Sequence, residues 1–556
     1  MWATADEKHQ NWPIVYTINN DREIYVGETT SALKRIRQHL EDPRKRELTH
    51  VKVIIDDSYN KSVCLDLESH LIRYFAADGQ FRVTNGNHGI TDADYFDREK
   101  YRKRFDEVFR ELTATGLLTR SIPDIVNSDL FKYSPFKAIN PEQAIAVEGI
   151  VETLFEKFAR TSDVPMVVQG DPGTGKTIVA VYLMKLLSDI GHANLDDELD
   201  RDSIFSDFFQ PEYQALFADL KLGIVIPQGA LRESIRKVFS KTPGLDKAMV
   251  MSQFDVGLSE GTFDLLIVDE AHRLGQRANQ SSASLNIKFG DINERLFGRD
   301  DDSFTQLDWI QAKSKHQLLL IDIAQSVKPG DLPKAVTGEL VDKADRNEVL
   351  FRLSSQMRVE GGNDYIEHIG AVLGGVATQP KSFGNYDFRI FDNPDEMRAE
   401  IIKRDEEAGL ARMVAGYAWD WTSRKKGFEH IPDIVIGDFA MPWNRKLVDW
   451  VSSPTALEEV GSIHTVQGYD LNYAGVIIGL DLQFDASAQK IKFSRANYFD
   501  KKGVENNPRL GISYSDAEIM EFVKNIYRVL LTRGIKGTYV YICDRDLRDY
   551  MKRFFS

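Results

Sequence analysis

Met166-Val-Val-Gln-Gly-Asp-Pro-Gly-Thr-Gly-Lys-Thr177 decides how this chain folds. It fits G-x-x-x-x-G-K-[ST] through Gly170, Gly175, Lys176 and Thr177, with Gly173 as a further glycine inside the loop. Val164, Met166, Val167 and Val168 before it read as a buried parallel strand, and Pro165 falls at the strand start, where a missing ladder donor is tolerated. Apolar residues at helical spacing from Ile178 to Leu187 follow. Strand, glycine-rich loop and helix together predict a site for a nucleoside triphosphate, ATP. The glycines let backbone N–H groups turn toward phosphate oxygens, Lys176 adds a charge at the β/γ-phosphates, and the Thr177 hydroxyl is suited to Mg²⁺.

A second stretch completes that chemistry. Phe263-Asp-Leu-Leu-Ile-Val-Asp-Glu-Ala-His272 reads as a buried strand ending in two acids. Asp269 is placed to hold Mg²⁺ and Glu270 to orient or activate the attacking water. Leu318-Leu-Leu-Ile-Asp-Ile-Ala-Gln325 supplies another strand, ending with Asp322 and Gln325 where a γ-phosphate sensor belongs. Residues 134–345 then form one α/β lobe with a parallel sheet, and 346–556 a second. In the second lobe Arg358 follows a strand in Leu353-Ser-Ser-Gln-Met-Arg358, and Ile463-His-Thr-Val-Gln-Gly-Tyr-Asp470 precedes another. Tyr527-Arg-Val-Leu-Leu-Thr-Arg-Gly-Ile-Lys-Gly537 carries Arg528 and Arg533. Trp419, Trp421 and Trp443 read either as core aromatics or as a stacking surface for unpaired bases.

In order and spacing, residues 134–556 resemble the superfamily-1 (UvrD/Rep-like) ATPases, whose fold is two RecA-like lobes. His464-Thr-Val-Gln-Gly468 and Leu531-Thr-Arg-Gly-Ile-Lys-Gly537 bring them nearest the bacterial branch related to the helicase domain of long Schlafen proteins. The resemblance implies that Gln143, one helix upstream of the phosphate loop, reads the adenine edge. It also implies that Arg533, and with it Arg528, reaches the γ-phosphate across the lobe interface, and that Arg358 stands at a motif IV position among the nucleotide-binding residues. The chain lacks room for the large inserted subdomains of processive helicases, so duplex unwinding does not follow from the resemblance.

Composition bounds the partners. The net charge of −15 argues against a nonspecific coat on nucleic acid, while leaving room for a local basic groove. Cys64 and Cys543, the two cysteines, have neither metal-ligand spacing nor a disulfide framework, so a reducing cytoplasm is the expected setting. No apolar run reaches membrane-spanning length, and the first residues lack the features of a signal peptide, so no membrane is expected.

Residues 1–95 read as a separate small α/β unit. Pro13-Ile-Val-Tyr-Thr-Ile18 and Glu23-Ile-Tyr-Val-Gly27 flank an Asn-Asn-Asp turn, a hairpin signal. Arg35 and His39 share one face of the next helix. On a second helix, Leu65, Leu71, Ile72 and Phe75 form an apolar stripe, with Glu68 inside its arc. A carboxylate facing inward is costly unless something pairs with it, and a metal ion would serve. These residues resemble the GIY-YIG nucleases: Ile14-Val15-Tyr16 stands for Gly-Ile-Tyr, Tyr25-Val26-Gly27 for Tyr-Ile-Gly, then Arg35, His39, Glu68 and Asn85 follow. The first glycine is missing. The resemblance implies that Glu68 holds one Mg²⁺, Arg35 neutralises the scissile phosphate, and Tyr16, Tyr25 and His39 position or deprotonate the water, with the base left open among them. Residues 96–133 read as a helical connector packing on one or both neighbours.

The sequence therefore predicts a metal-dependent endonuclease joined to an ATPase or translocase acting on nucleic acid, DNA being the expected partner. A role in defence against foreign DNA fits that architecture. The alternative is a nucleotide-gated switch in which ATP controls the nuclease without movement along a strand. Oligomeric state stays open.

Overall fold

The computed structural model describes residues 11–41, 46–85, 95–137, 139–159, 164–193, 205–277, 280, 282–322, 329–446, 450–466 and 469–555. The acidic stretch 195–202, Gln325, and Gln467 with Gly468 lie outside them. Two compact units emerge: Met1–Thr161 with Thr177–Leu220 and Ser234–Val250, and Ser162–Lys176 with Lys221–Glu233 and Met251–Ser556.

The first unit opens with β1 (Ile14–Asn19), β2 (Glu23–Thr29), α1 (Ala32–Glu41), β3 (His50–Ile54), α2 (Lys61–Asp78) and β4 (Arg82–Val83). The strands form one sheet in the order β3-β1-β2-β4. The hairpin turn is fixed by Asn20, whose side-chain oxygen accepts from the backbone N–H groups of Arg22 (2.8 Å) and Glu23 (2.7 Å). Asn60 caps α2 by accepting from Val63 N, and Gly79 closes it in the left-handed conformation at φ 78°. The buried face of α2 is Val63, Cys64, Leu67, Leu71, Ile72 and Phe75, whereas Leu65, expected in the stripe, is 37% exposed to solvent. Helical spacing alone could not separate Leu65 from Cys64, because the packing partner chooses the face.

The connector is part of this core. α3 (Arg98–Ala114) buries Phe105, Phe109 and Leu112 against the α2 side chains, and Leu117, Leu118, Ile125 and Phe136 extend the same cluster. Asp66 of α2 fastens it: the Tyr95 hydroxyl (2.9 Å) and Arg102 Nε (3.3 Å) donate to its carboxylate.

The second unit holds two parallel sheets. β5 (Met166–Gly170), β6 (Leu222–Val225), β7 (Val250–Met251), β8 (Phe263–Val268), β9 (Ser314–Ile321) and β10 (Leu350–Leu353) assemble in the order β10-β5-β9-β8-β6-β7. The pairings β10–β5, β5–β9, β9–β8 and β8–β6 are all parallel. The second sheet runs β11 (Asp387–Phe391), β18 (Gly534–Ile542), β15 (Leu471–Ile478), β12 (Ala411–Ala415), again parallel throughout. Two antiparallel hairpins, β13 (Ile434–Ile436) with β14 (Phe439–Met441) and β16 (Leu482–Asp485) with β17 (Lys490–Phe493), attach to it. The strand ending at Leu353, read in sequence as the opening of the second lobe, instead pairs beside β5 at the edge of the first sheet. A four-residue strand carries no mark of which sheet it will join. The architecture is mixed α/β with parallel sheets, as RecA-like lobes require.

Candidate nucleotide site and N-terminal cluster

Everything at the nucleotide site follows the carboxyl end of a strand in the first sheet. The loop Asp171–Gly175 leaves β5, Asp269 and Glu270 leave β8, Asp322 leaves β9, and Gln356 to Arg358 follow β10. Open parallel sheets gather ligand-binding groups at that edge because the connecting loops there converge.

The loop conformation needs its glycines. Gly173 (φ 87°) and Gly175 (φ 83°) are left-handed, and a Cβ on Gly173 would stand 2.1 Å from Gln356 Oε1. Lys176 begins the helix Lys176–Gly191, with Thr177 next along it, and its ammonium curls back over the loop. Nζ donates to Gly170 O (2.6 Å) and Asp171 O (3.0 Å) and lies 4.0 Å from Asp322 Oδ2.

The acids are organised by His272, which sequence reasoning passed over. Asp322 N–H donates to His272 Nδ1 at 3.2 Å, which makes Nδ1 the acceptor and puts the neutral ring's proton on Nε2. Nε2 lies 3.0 Å from Glu270 Oε2, off line for a good hydrogen bond, so the N–H edge of the ring faces the carboxylate. Burial raises the Glu270 carboxyl, yet His272, Lys176 and Arg273 outweigh it and hold the group below the usual carboxylate range. Burial pushes Asp322 the other way, above its ordinary value, with Lys176 and His272 opposing. Glu270 also sits at φ 49°, a strained position for a non-glycine residue. Asp269 is fully buried, and its Oδ1 accepts from Glu270 N at 3.0 Å.

Gln356 is a second residue the sequence did not flag. Its Nε2 donates to Pro172 O (2.7 Å), its Oε1 accepts from Arg358 N (2.8 Å), and Met357 N donates to Gly173 O (2.9 Å). One side-chain bond and one backbone bond thus clip the segment after β10 onto the phosphate loop, and the bond from Arg358 N ties that arginine to the same side chain. Arg358 then pairs with the Asp470 carboxylate. Arg533, 3% exposed, donates from Nη1 to Tyr469 O (3.3 Å). Arg358 and Arg533 therefore meet adjacent residues at the start of β15, where the amino edge of the second sheet approaches the carboxyl edge of the first.

Three expected residues stand elsewhere or outside the description. Arg528 lies along the helix Gly362–Gly374, its guanidinium carbon 3.7 Å from where a Cβ on Gly370 would be. Gln143 occupies the first turn of Pro141–Ala159 and makes a reciprocal cap: Asn140 N donates to its Oε1 (3.1 Å), and its own N–H to Asn140 Oδ1 (2.8 Å). Gln325 is outside the described residues.

The N-terminal cluster assembles from β1, β2 and α1. Tyr16 and Gly27 are cross-strand partners, and a Cβ on Gly27 would fall 2.4 Å from the Tyr16 hydroxyl, so that glycine is required by the ring lying across it. Tyr16 Oη and His39 Nε2 are 2.7 Å apart, and the Tyr25 and His39 ring centroids 4.7 Å. Burial drives the Tyr16 phenol far up, with Tyr25 and Glu68 adding to it against Arg35. Burial likewise raises Tyr25 to about 12, with Glu68 adding and Arg35 opposing. Both phenols therefore keep their protons at neutral pH, and the Tyr16 hydroxyl shares a hydrogen bond with the His39 ring. Tyr16, Tyr25, Arg35, His39 and Glu68 are brought within electrostatic reach of one another. Glu28 was missed: with Glu68 it adds to the burial that raises the Cys64 thiol to about 12. Asn85 clamps β2, accepting from Val26 N (3.0 Å) and donating to Val26 O (2.7 Å). Among the described residues no group of three or more His, Cys, Asp or Glu side chains could hold a metal.

Parallel sheets with a phosphate loop and paired acids at their edge define a phosphate-loop nucleotide-binding fold of the RecA-like kind. Residues 164–544 match the Schlafen group 3, DNA/RNA helicase domain, and the chain belongs to that family. An uncharacterized protein of Saccharomyces cerevisiae, YPL245W, is 26% identical over 420 residues, covering 70% of this chain and 83% of the yeast protein. Among solved structures, the Pif1 helicase from Candida albicans aligns at 12% identity and TM-score 0.20 over 49% of this chain, which spans only 55% of that protein. A structure of two coordinating Pif1 helicases that unwind forked duplex DNA aligns at 10% identity and TM-score 0.26, over 70% of this chain and 91% of that one. Scores that low leave the fold to be argued from its own sheets. No helix among the described residues is long and apolar enough to cross a membrane.

Proposed function

We propose that this protein hydrolyses ATP and couples it to work on nucleic acid, with DNA the expected substrate and the cytoplasm the expected setting, and that its N-terminal unit is a GIY-YIG-type endonuclease. The observation that carries the ATPase reading is the convergence of Lys176, Glu270, His272 and Asp322 on one strand edge, with the Arg358 segment clipped to the phosphate loop. Lys176 would exchange its two carbonyl acceptors for the more strongly charged phosphate oxygens. Glu270, held anionic, would accept a hydrogen bond from the attacking water and orient it, with His272 fixing the carboxylate. Arg533 would stabilise charge developing on the transferring phosphoryl group.

The hard oxygens of Thr177 and Asp269 suit Mg²⁺, as does Glu68 in the first unit, since Mg²⁺ keeps several waters and needs few protein ligands. Such an ion would supply charge neutralisation at phosphate oxygens. In the N-terminal unit Arg35 would bind the scissile phosphate, while Tyr16, Tyr25 and His39 orient the water. Action against foreign DNA is the biological role this pairing fits.

Two variants test the two halves separately. Glu270→Gln should keep ATP affinity and lose turnover, read by equilibrium nucleotide binding beside single-turnover hydrolysis; normal turnover would remove Glu270 from its role. Glu68→Gln should abolish cleavage of a duplex, forked and single-stranded DNA panel in Mg²⁺ while sparing ATP hydrolysis. Cleavage at the unaltered rate would end the nuclease assignment.

A further inference from the structure

The segment between β12 and β13, Trp419-Asp-Trp-Thr-Ser-Arg-Lys-Lys-Gly-Phe428, is held in a way that a solvated loop does not need. Its root is a rigid aromatic floor. Trp443 is fully buried, with Tyr417 and Trp421 packed on it at centroid distances of 4.8 and 6.0 Å. Of the two readings open for the tryptophans, Trp443 takes the core one. Asp433, 7% exposed, staples the segment to the floor by accepting from Ser423 N (2.8 Å), Ser423 Oγ (2.6 Å) and Trp443 N (3.0 Å).

Beyond that staple the chain makes successive tight turns. Lys425 N donates to Thr422 O (3.0 Å), Phe428 N to Lys425 O (3.0 Å) and Ile431 N to Phe428 O (3.0 Å). Gly427 adopts φ 91°, and its N–H donates to Glu429 Oε2 at 2.9 Å. What this turn presents is a row of cations and a bare ring. Arg424, Lys425 and Lys426 are exposed, and Phe428 is 46% exposed. Arg424 lies over the Trp421 ring at 5.2 Å, and Arg445 joins the row by donating to Glu429 O at 3.0 Å. Within the turn itself Asp420, 3.4 Å from Lys425, and Glu429 are outnumbered by Arg424, Lys425 and Lys426, in a chain whose net charge is −15.

We propose that this turn is a binding site for single-stranded nucleic acid: Arg424, Lys425 and Lys426 take consecutive phosphates and Phe428 stacks on an unpaired base. The inference rests on the nucleic-acid reading above and gives it a place on the second lobe. The local reversal of charge selects a polyanion. The exposed ring beside it selects one with open base faces, which a duplex hides in its stack. Preorganisation by Asp433 lowers the ordering cost of binding.

The test is fluorescence anisotropy of a labelled mixed-sequence 20-mer, single-stranded and as a duplex, titrated with the full chain at salt from 50 to 200 mM. Thermal melting checks that each variant is folded. R424A/K425A/K426A should reduce the magnitude of the log–log salt slope by about 2, since each phosphate contact to a single strand contributes roughly 0.7. Phe428→Ala should weaken single-strand binding about tenfold, leave the slope unchanged, and leave duplex affinity unchanged. A wild-type slope in the triple variant, or a Phe428→Ala protein that binds the single strand normally, overturns the site while the nucleic-acid reading survives. Equal loss on duplex and single strand with Phe428→Ala also overturns it. A wild-type chain that binds neither strand form overturns the underlying reading and this site with it.

Discussion

Gln356→Ala removes the side-chain clip between the strand-edge arginine and the phosphate loop. Two hydrogen bonds are lost, Nε2 to Pro172 O at 2.7 Å and Arg358 N to Oε1 at 2.8 Å, while the backbone bond from Met357 N to Gly173 O at 2.9 Å remains. Each neutral bond contributes about 1 kcal/mol net, so roughly 2 kcal/mol of positioning energy is withdrawn. If all of it is expressed at the transition state, turnover falls about 30-fold, and about fivefold if the surviving backbone bond preserves half of the positioning. ATP affinity should change far less, because the loop's own N–H groups and Lys176 are untouched. Single-turnover hydrolysis beside equilibrium nucleotide binding reads the split. Gly173→Ala should do at least as much harm, since its Cβ would lie 2.1 Å from Gln356 Oε1 at a φ of 87°. A Gln356→Ala protein that turns over within twofold of the wild type would refute the clip as a determinant of the site.

Asp481 makes stability depend on pH. Burial, only partly offset by the Tyr527 hydroxyl at 2.7 Å and by backbone N–H groups, lifts its carboxyl from the ordinary 3.8 to about 7. The folded state holds a proton that the unfolded chain releases, so the stabilising contribution is full below pH 4 and lost as pH rises to about 7, on the order of 4 kcal/mol in all. Urea melts from pH 5 to 8 should show that decline, and Asp481→Asn should flatten it; parallel curves would contradict the burial argument, with Tyr498 and Cys543 as the neighbouring titratable groups. Arg533→Ala should leave nucleotide affinity nearly unchanged and cut turnover on the order of 10³-fold, with lysine a poor substitute for the planar fork; ordinary single-turnover hydrolysis in that variant would show that the second sheet does not complete the site.

Several features were legible in the sequence because each is written in contiguous residues. The phosphate loop, the Asp269-Glu270 strand end and the hairpin around Asn20 each depend on local backbone demands: glycine for left-handed φ, branched apolar runs for parallel strands, a side-chain acceptor in a tight turn. Other features depend on what packs opposite. The β10 strand joined the first sheet because its register fits beside β5. His272 became an organiser because the chain after β9 brings the Asp322 N–H to its ring. Gln356 reaches Pro172 across 184 residues of sequence, and Arg358 finds Asp470 only once the two sheets stand edge to edge. Trp443 went to the core while Phe428 stayed at the surface, although both are large and aromatic, since Asp433 pins the chain so that one ring faces the floor and the other faces water. The sequence by itself determined the local chemistry, a loop for phosphate and acids at a strand end, because those follow from backbone and side-chain properties within a few residues. Only the tertiary structure decided which distant side chains stand within about 3 Å of one another, because hydrogen bonds and charge contacts fall off over that distance and the folded chain alone sets it.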